Sequence, residues 1–361
     1  MTLFSACRGG QTSSVQAEGD TVTFKYATLL SVVRYDGYVV ASLQNPWKEG
    51  MTLHRYVLIP SDCEVPPHIP SGTIIRTPLR RSMMFTTVHC AMLMSLEKEN
   101  SISGVADLKY IKIPWIQEQV QKGKIADVGD GLSPVVEKII DQRPDAIFLS
   151  PFENSGGYGK LEEIDIPLVE CAEYMEKTPL GRAEWLRFYG ILFGCEQKAD
   201  SLFEEVDKHY NALKAMVTQK NRPSVLLDKV TGSVWYVPGG QSTIGQMIQD
   251  AGGDYPWAKD EHSGSVSLPF EAVLEKAGEA DVWLFRYSSD HDITYAELSA
   301  EHHGYDQFSA FRQKNVYGCD VERSPFYEES PFRHDWLLND FIRILHPEIE
   351  GLAPLRYYKR L

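Results

Sequence analysis

The chain has 361 residues, of which 43% are hydrophobic, and its formal net charge is −14 at pH 7. This hydrophobic content excludes a disordered chain, and the length suits two domains that each bury a core. The acidic balance, with no basic run longer than Arg80–Arg81, argues against nucleic acid as a partner.

The N-terminal residues resemble the end of a bacterial lipoprotein signal. Small residues precede Cys7, and a polar stretch runs from there to Asp20. We therefore predict that residues 1–20 are a signal remnant and tether, with Cys7 lipidated. A chance match is the alternative interpretation. No apolar run approaches the roughly 18–20 residues of a membrane span, so a lipid anchor is the only membrane attachment that we predict.

Residues 21–72 form the first predicted structural segment. Residues 21–60 alternate and are rich in β-branched and aromatic types, and Asp36–Gly37 separates two such runs. An Asp-Gly pair in that position indicates a hairpin. We expect a β-rich N-terminal segment that ends in a Pro-rich loop and packs on the lobe that follows it.

From residue 73 the pattern changes to strands that alternate with helices. This alternation predicts an α/β lobe over residues 73–196 with a mostly parallel sheet. In such a sheet the loops at the carboxyl ends of the strands face the ligand. We therefore looked for site residues directly after the predicted strands.

A unit of helix, tight turn and buried strand occurs twice. The first copy has a helix opened by Ser133 and Pro134, followed by a strand over 146–149. The second has a helix from Pro269 and a strand over 282–285. Two such units far apart indicate two similar lobes with a ligand cleft between them.

Residues 198–219 contain no Pro or Gly and carry apolar residues at helical spacing. A helix of that length spans about 33 Å, which is enough to connect two lobes. We predict that residues 197–220 are a bridging helix and residues 221–361 the second α/β lobe. An ordinary surface helix of one lobe is the alternative.

Candidate ligand contacts follow the predicted strands or open a helix. Aromatic side chains at strand ends suit a large ligand that offers area for stacking. The Gln241–Ser242 pair opens a helix whose free N–H groups favour an anionic group. Each aromatic residue could instead lie in the core, and Ser242 could be a simple helix cap. The candidates are Asn154, Tyr158, Tyr174, Trp235, Tyr236, Gln241, Ser242, Trp257, Arg286, Tyr287 and Tyr327.

Motifs for catalysis are absent from the sequence. It contains no nucleophile elbow, no P-loop and no zinc-protease motif. We interpret His262, His291 and the pair His302–His303 as surface or capping residues. We therefore predict no enzyme, no catalytic residue, no metal site and no cofactor.

The segment Pro179–Trp185, followed by the long helix, resembles the substrate-binding proteins of ABC importers for iron-siderophores, haem and vitamin B12. The similarity continues through both repeat units, the Gly239–Ser242 helix start and Leu337–Asp340. It covers about residues 75 to 350.

The resemblance implies two α/β lobes bridged by one long helix, with little closure when ligand binds. It further implies a periplasmic, monomeric protein that delivers an iron-siderophore, haem or a corrinoid to an ABC permease and its ATPase. Acidic residues dock such proteins to the permease, and Glu153 and Glu162 are the candidates here. Capture of a free Zn or Mn ion, or a two-lobed metalloenzyme, remain alternatives.

Overall fold

The computed structural model describes residues 19–153, 157–218 and 221–361. Two predicted residues, Cys7 and Asn154, lie outside these ranges. The described chain forms an N-terminal β-sheet and two α/β lobes with mostly parallel sheets, joined by a long helix. No helix in these ranges has both the length and the hydrophobicity that a bilayer crossing requires.

The N-terminal sheet has five strands in sequential order, antiparallel except for the last, which runs parallel to its neighbour. The strands are β1 (Asp20–Val22), β2 (Leu30–Tyr35), β3 (Tyr38–Gln44), β4 (Thr52–Pro60) and β5 (Thr73–Thr77). The predicted hairpin is confirmed, because Tyr35 pairs with Tyr38 and Gly37 takes a positive φ of 80°. The sheet extends past the predicted boundary at residue 72, because β5 joins it.

The segment between β1 and β2 is held by two buried carboxylates. Glu184 accepts hydrogen bonds from the backbone N–H groups of residues 25, 26 and 27 at 2.7–2.8 Å. Glu176 accepts from the backbone of residues 28 and 29. Buried carboxylates need such donors, and backbone N–H groups outside a sheet need acceptors. The pairing fixes the N-terminal sheet to the helices that join the lobes.

The first lobe contains a five-stranded parallel sheet in the order β12-β11-β6-β7-β8, and β9 and β10 form a separate hairpin. Its strands are β6 (Ser82–Met84), β7 (Ile102–Val105), β8 (Ala126–Asp127), β9 (Gly129–Asp130), β10 (Ser133–Pro134), β11 (Ala146–Leu149) and β12 (Leu168–Glu170). Its helices are α1 (Thr87–Ser95), α2 (Pro114–Gln121) and α3 (Val136–Gln142). The predicted Ser133 cap is wrong, because Ser133 and Pro134 pair with β9 and the helix begins only at Val136.

Three helices join the lobes: α4 (Pro179–Glu184), α5 (Leu186–Phe193) and α6 (Glu196–Met216). Gly194 ends α5 in the left-handed conformation. The 21 residues of α6 contribute to both cores, since Ala199 packs in the first lobe and Phe203, Val206 and Leu213 pack in the second. The bridging interpretation is therefore correct, and that of a surface helix of one lobe is not.

The second lobe has a sheet in the order β13-β17-β18-β19, parallel except for β19, and a three-stranded antiparallel sheet β14-β15-β16. Its strands are β13 (Val225–Leu227), β14 (Val230–Thr231), β15 (Val234–Pro238), β16 (Ser265–Leu268), β17 (Val282–Tyr287), β18 (Val316–Asp320) and β19 (Tyr358–Arg360). Its helices are α7 (Thr243–Asp250), α8 (Phe270–Ala277), α9 (Tyr295–Glu301), α10 (Ser309–Arg312), α11 (Phe326–Glu329) and α12 (His334–Leu345). Both repeat units are present, as α3 with β11 and α8 with β17, and each strand is interior to its sheet.

Candidate functional site

A cavity of about 560 Å³ opens at the carboxyl ends of the first-lobe strands. Its walls come from the ends of β6 and β11, the β9–β10 hairpin and the loop after β11. All of its described lining residues belong to the first lobe, and they include Phe85, Asp107, Leu132, Leu149, Phe152 and Tyr158. The volume lies within the range of about 300–1,000 Å³ that is common for ligand pockets.

Two apolar side chains stand exposed at the rim of this cavity. Leu132, at the tip of the β9–β10 hairpin, is 85% exposed, and Phe152 is 51% exposed. Exposed apolar side chains that cluster at a concave surface indicate a binding site, whereas scattered ones do not. The rim therefore offers apolar contact area to a ligand.

A smaller cavity of about 280 Å³ lies at the carboxyl ends of the second-lobe strands. Tyr236 and Tyr327 line it and are 45% and 43% exposed. Arg286 and Tyr287, at the end of β17, also line it. Four of the predicted contacts therefore meet at this edge of the second lobe.

The charged groups of the second cavity are already paired. Arg286 donates two hydrogen bonds to Asp228, at 2.9 and 2.6 Å. Burial opposes the charge of Arg286, but the Asp228 carboxylate outweighs burial and raises the pKa of the guanidinium. Lys229 forms an ion pair with Glu301. The groups that the described residues of this cavity can offer to a ligand are therefore the tyrosine hydroxyls and backbone groups, and not an unpaired charge.

The two lobes touch next to residues that line the two cavities. Thr87 Oγ1 donates to Glu328 Oε1 at 3.0 Å, and each residue follows a cavity-lining neighbour, Thr86 in the first lobe and Tyr327 in the second. Burial raises the pKa of Glu328. The Thr87–Glu328 hydrogen bond joins the two lobes next to residues that line the two cavities.

Two predicted tyrosines of the first lobe are held by fixed partners. The Tyr158 hydroxyl donates to Glu170 at 2.7 Å, and the Tyr174 hydroxyl donates to the carbonyl of Pro151. Burial raises the pKa of Tyr174 to about 12, so both rings present neutral phenols near neutral pH. Tyr158 lines the cavity, whereas Tyr174 supports the loop that carries Phe152.

Of four other predicted contacts, two are buried and two lie at the start of α7. Trp235 is fully buried, and its Nε1 donates to the carbonyl of Leu227 at 2.8 Å, so its ring offers no face to a ligand. Trp257 is also buried in the core. Ser242 caps α7 by accepting from the N–H of Gly245 at 3.0 Å, and the Gln241 N–H donates to His262. Trp235 and Trp257 therefore lie in the core, whereas a ligand contact by Gln241 or Ser242 stays a prediction.

The two proposed docking residues differ in their hydrogen bonds. Glu153 is exposed beside the first cavity. Glu162 is exposed as well, but its Oε1 accepts from the backbone N–H of Tyr158 at 2.7 Å. Glu162 therefore shapes the cavity loop, whereas the Glu153 carboxylate has no such hydrogen bond to the described residues.

The sequence interpretation missed Leu132 and Phe85 as lining residues. Leu132 follows Asp130–Gly131, a turn sequence, and an apolar residue at the tip of a turn is the signal that would have identified it. Phe85 ends a predicted strand but resembles a core residue in every local respect. Only the position of β6 in the sheet distinguishes it.

The described ranges hold one group of three potential metal ligands, His89, Cys171 and Glu173, whose donor atoms lie within 4.8 Å of one another. All three are buried, and His89 Nε2 is already 3.2 Å from Glu173 Oε1. Burial raises the pKa of the Cys171 thiol well above its ordinary value, and a thiol binds metal as thiolate. His89 and Glu173 therefore hydrogen-bond to each other within this buried group.

Comparison with known proteins supports the architecture. A family model described as periplasmic binding protein matches residues 94–322, more than half of the chain. An uncharacterized lipoprotein of Methanocaldococcus jannaschii is 29% identical over an alignment of 356 positions, which covers 92% of this chain and 84% of the relative.

Two solved structures are similar in fold. An ABC-type Fe³⁺-hydroxamate transport protein from Saccharomonospora viridis has a TM-score of 0.59 and 19% identity over 74% of this chain and 94% of that one. A periplasmic heme binding protein from Pseudomonas aeruginosa has a TM-score of 0.59 and 16% identity over 77% of this chain and 96% of that one. These similarities confirm the predicted fold of two α/β lobes.

Proposed function

This chain belongs to the periplasmic binding protein family, and on that premise we propose that it captures a metal chelate between its lobes for an ABC importer. The chelate is an iron-siderophore, haem or a corrinoid. The observation that carries the proposal is the set of exposed apolar and aromatic side chains at the two cavities: Leu132 and Phe152 in the first lobe, and Tyr236 and Tyr327 in the second. Large ring-containing or apolar ligands are held by such surfaces.

We further propose that the protein is a monomer, that it is anchored outside the cytoplasmic membrane by lipid on Cys7, and that it passes its ligand to a permease and ATPase. Two features support delivery to a permease: membership of the family and the exposed Glu153 beside the cleft. Glu162 is the second docking candidate of the first lobe. The lipid anchor is supported by the relative that is named a lipoprotein.

The test is a thermal-shift screen followed by calorimetric titration. Ferrichrome, haemin, cyanocobalamin and dicyanocobinamide serve as chelates, and zinc and manganese chlorides serve as free-metal probes. A ligand that binds only the folded state raises its stability by about 2.7 kcal/mol at a hundredfold excess over Kd. We expect one chelate to raise the melting temperature in a saturable manner. A response to free metal alone, or to no probe, would contradict the proposal.

A further inference from the structure

The N-terminal sheet and the first cavity are connected through the buried carboxylate of Glu170, at the end of β12. Tyr158, which lines the cavity, donates its hydroxyl group to Glu170 Oε1 at 2.7 Å. On the other side of the carboxylate, His54 Nδ1 of β4 lies 3.0 Å from Glu170 Oε2. The two oxygens therefore face one residue of the cavity and one residue of the sheet.

Further contacts fix the position of His54. Its Nε2 lies 2.8 Å from Thr73 Oγ1 of β5, and its ring stacks on Tyr56 with the centroids 4.4 Å apart. The Tyr56 hydroxyl accepts a hydrogen bond from the backbone N–H of Glu170 at 2.8 Å. Because β12 lies at the edge of its sheet, Tyr56 supplies the acceptor that a neighbouring strand would otherwise provide. The imidazole is thus held between the N-terminal sheet and β12.

Tyr158 is held at its backbone and at its hydroxyl. The backbone N–H donates to Glu162 Oε1 at 2.7 Å, and the hydroxyl donates to Glu170. Burial, and then the hydrogen bond to Glu170, raise the pKa of Tyr158, so that the phenol remains a donor to the carboxylate. Tyr158 therefore presents to the cavity an aromatic ring whose orientation depends on the direction of the Glu170 carboxylate.

This connection is separate from the contacts that fix the N-terminal sheet to the helices between the lobes. Those contacts join the segment between β1 and β2 to Glu176 and Glu184, and Arg34 of β2 to Glu196 of α6. None of these four residues lines either described cavity. The sheet thus has attachments that secure the fold and another that ends on a residue of the cavity.

We infer that His54 is a positioning residue of the ligand site. By occupying Oε2 of Glu170, it directs Oε1 toward the Tyr158 hydroxyl and so sets the ring against which the captured chelate packs. This inference rests on the proposed function. An aromatic ring binds a ligand through its face, so the orientation of the ring decides how much of that face the ligand covers. Side chains that lock a contacting residue in one rotamer therefore add to affinity. The N-terminal sheet belongs to the binding site as well as to the scaffold.

The experiment compares affinities in a set of full-length variants. They are His54→Ala, His54→Asn, Tyr158→Phe and the double variant with His54→Ala and Tyr158→Phe. The matched control is Arg34→Gln, which removes the ion pair of the sheet with Glu196 and involves no cavity-lining residue. The ligand is the one among ferrichrome, haemin, cyanocobalamin and dicyanocobinamide that the unaltered protein binds most tightly, and calorimetry measures the affinity.

We expect His54→Ala to bind this chelate about threefold to tenfold more weakly, as the loss of one hydrogen-bonded contact would give. His54→Asn should retain most of the affinity, because its amide nitrogen can take the position of Nδ1. In the Tyr158→Phe background, His54→Ala should cause no further loss, since the two residues act through one carboxylate. Arg34→Gln should bind the chelate as the unaltered protein does.

A measurement without ligand tests the position of the ring. In protein labelled with ¹³C at the Cζ of tyrosine, the signal that is absent from Tyr158→Phe belongs to Tyr158. This signal should shift in His54→Ala and stay in place in Arg34→Gln. The melting temperature of His54→Ala should change little, because the contacts of Glu176 and Glu184 remain.

Other outcomes overturn the inference and leave the proposed function in place. Equal losses from His54→Ala with and without the Tyr158 hydroxyl would mean that His54 acts by another route. An equal loss of affinity in Arg34→Gln would mean that attachment of the whole sheet matters, and not His54. A lower melting temperature of His54→Ala, with unchanged affinity and an unchanged Tyr158 signal, would show a purely structural role. Failure of every chelate to bind would reject the proposed function itself, together with the inference that depends on it.

Discussion

The carboxyl edges of the two lobes are built from different side chains. The first edge is a cavity of about 560 Å³ with two exposed apolar residues, Leu132 and Phe152, at its rim. The second is half that volume, and its rim carries two exposed phenols, Tyr236 and Tyr327, beside the paired Arg286 and Asp228. One lobe offers area for the body of a ligand, and the other offers hydroxyl groups that can orient it.

The difference also separates the roles of charge in the two lobes. In the second lobe, Asp228 neutralises Arg286, so that this guanidinium serves the local structure. Breaking such a pair leaves one charge without its partner. The free energy lost in this way exceeds the free energy that the intact pair contributes to stability. The described residues of the second rim therefore offer a ligand no unpaired guanidinium.

The largest effect on stability is expected in β15, where one residue lies in the core and the next lies at the cavity rim. Trp235→Ala should destabilise the protein by about 3–5 kcal/mol, because it leaves a cavity among Trp283, Tyr305 and Phe308. Tyr236→Ala should leave stability almost unchanged and weaken ligand binding, because the ring is at the rim. Chemical denaturation and calorimetry measure the two quantities. A loss of affinity in folded Trp235→Ala that exceeds the loss in Tyr236→Ala would reverse this assignment.

A smaller effect is expected at the first rim. Phe152→Ala should weaken chelate binding by about 1–2 kcal/mol through loss of apolar contact area. Its melting temperature should not change, since the ring is half exposed in the ligand-free protein. Titration calorimetry with the chelate found in the screen measures the loss.

Ile140→Ala is the matched control for Phe152→Ala. Ile140 is an exposed apolar residue of α3 that does not line either cavity. Its truncation removes similar apolar surface at another place and should leave affinity unchanged. Equal losses in both variants would show that the rim has no special role, and the contrast between the two edges would then lose its functional meaning.

The bridging helix and the repeat units could be predicted because their signals are local. A run without Pro or Gly and with apolar residues at helical spacing determines α6 almost by itself. Its contribution to both cores is what the flanking repeats indicated. The predicted Ser133 cap is wrong because Ser133 pairs with Asp130 in a local hairpin, so that the helix begins only at Val136.

The site was less predictable because its residues meet through distant contacts. Successive residues of a strand face opposite sides, so Trp235 and Tyr236 could not both be rim residues, but the sequence does not indicate which side is the core. Thr87 and Glu328 are separated by 241 positions, and their contact joins the two lobes. No periodicity encodes such a pair.

The smallest effect is expected at that contact. Burial raises the pKa of Glu328, so the folded state binds its proton more tightly than the unfolded state does. The stability that this group contributes is complete below the ordinary Glu pKa of about 4.3 and is lost as the pH rises through the raised pKa. Glu328→Gln keeps an acceptor for Thr87 but cannot ionise. Denaturation curves should show it more stable than the unaltered protein near neutral pH, with the difference vanishing in acid. Glu322→Gln, which breaks the exposed Lys112–Glu322 pair at 2.6 Å, should not be more stable than the unaltered protein near neutral pH. A Glu328→Gln protein that is less stable at neutral pH would mean that the ionised carboxylate holds the two edges together.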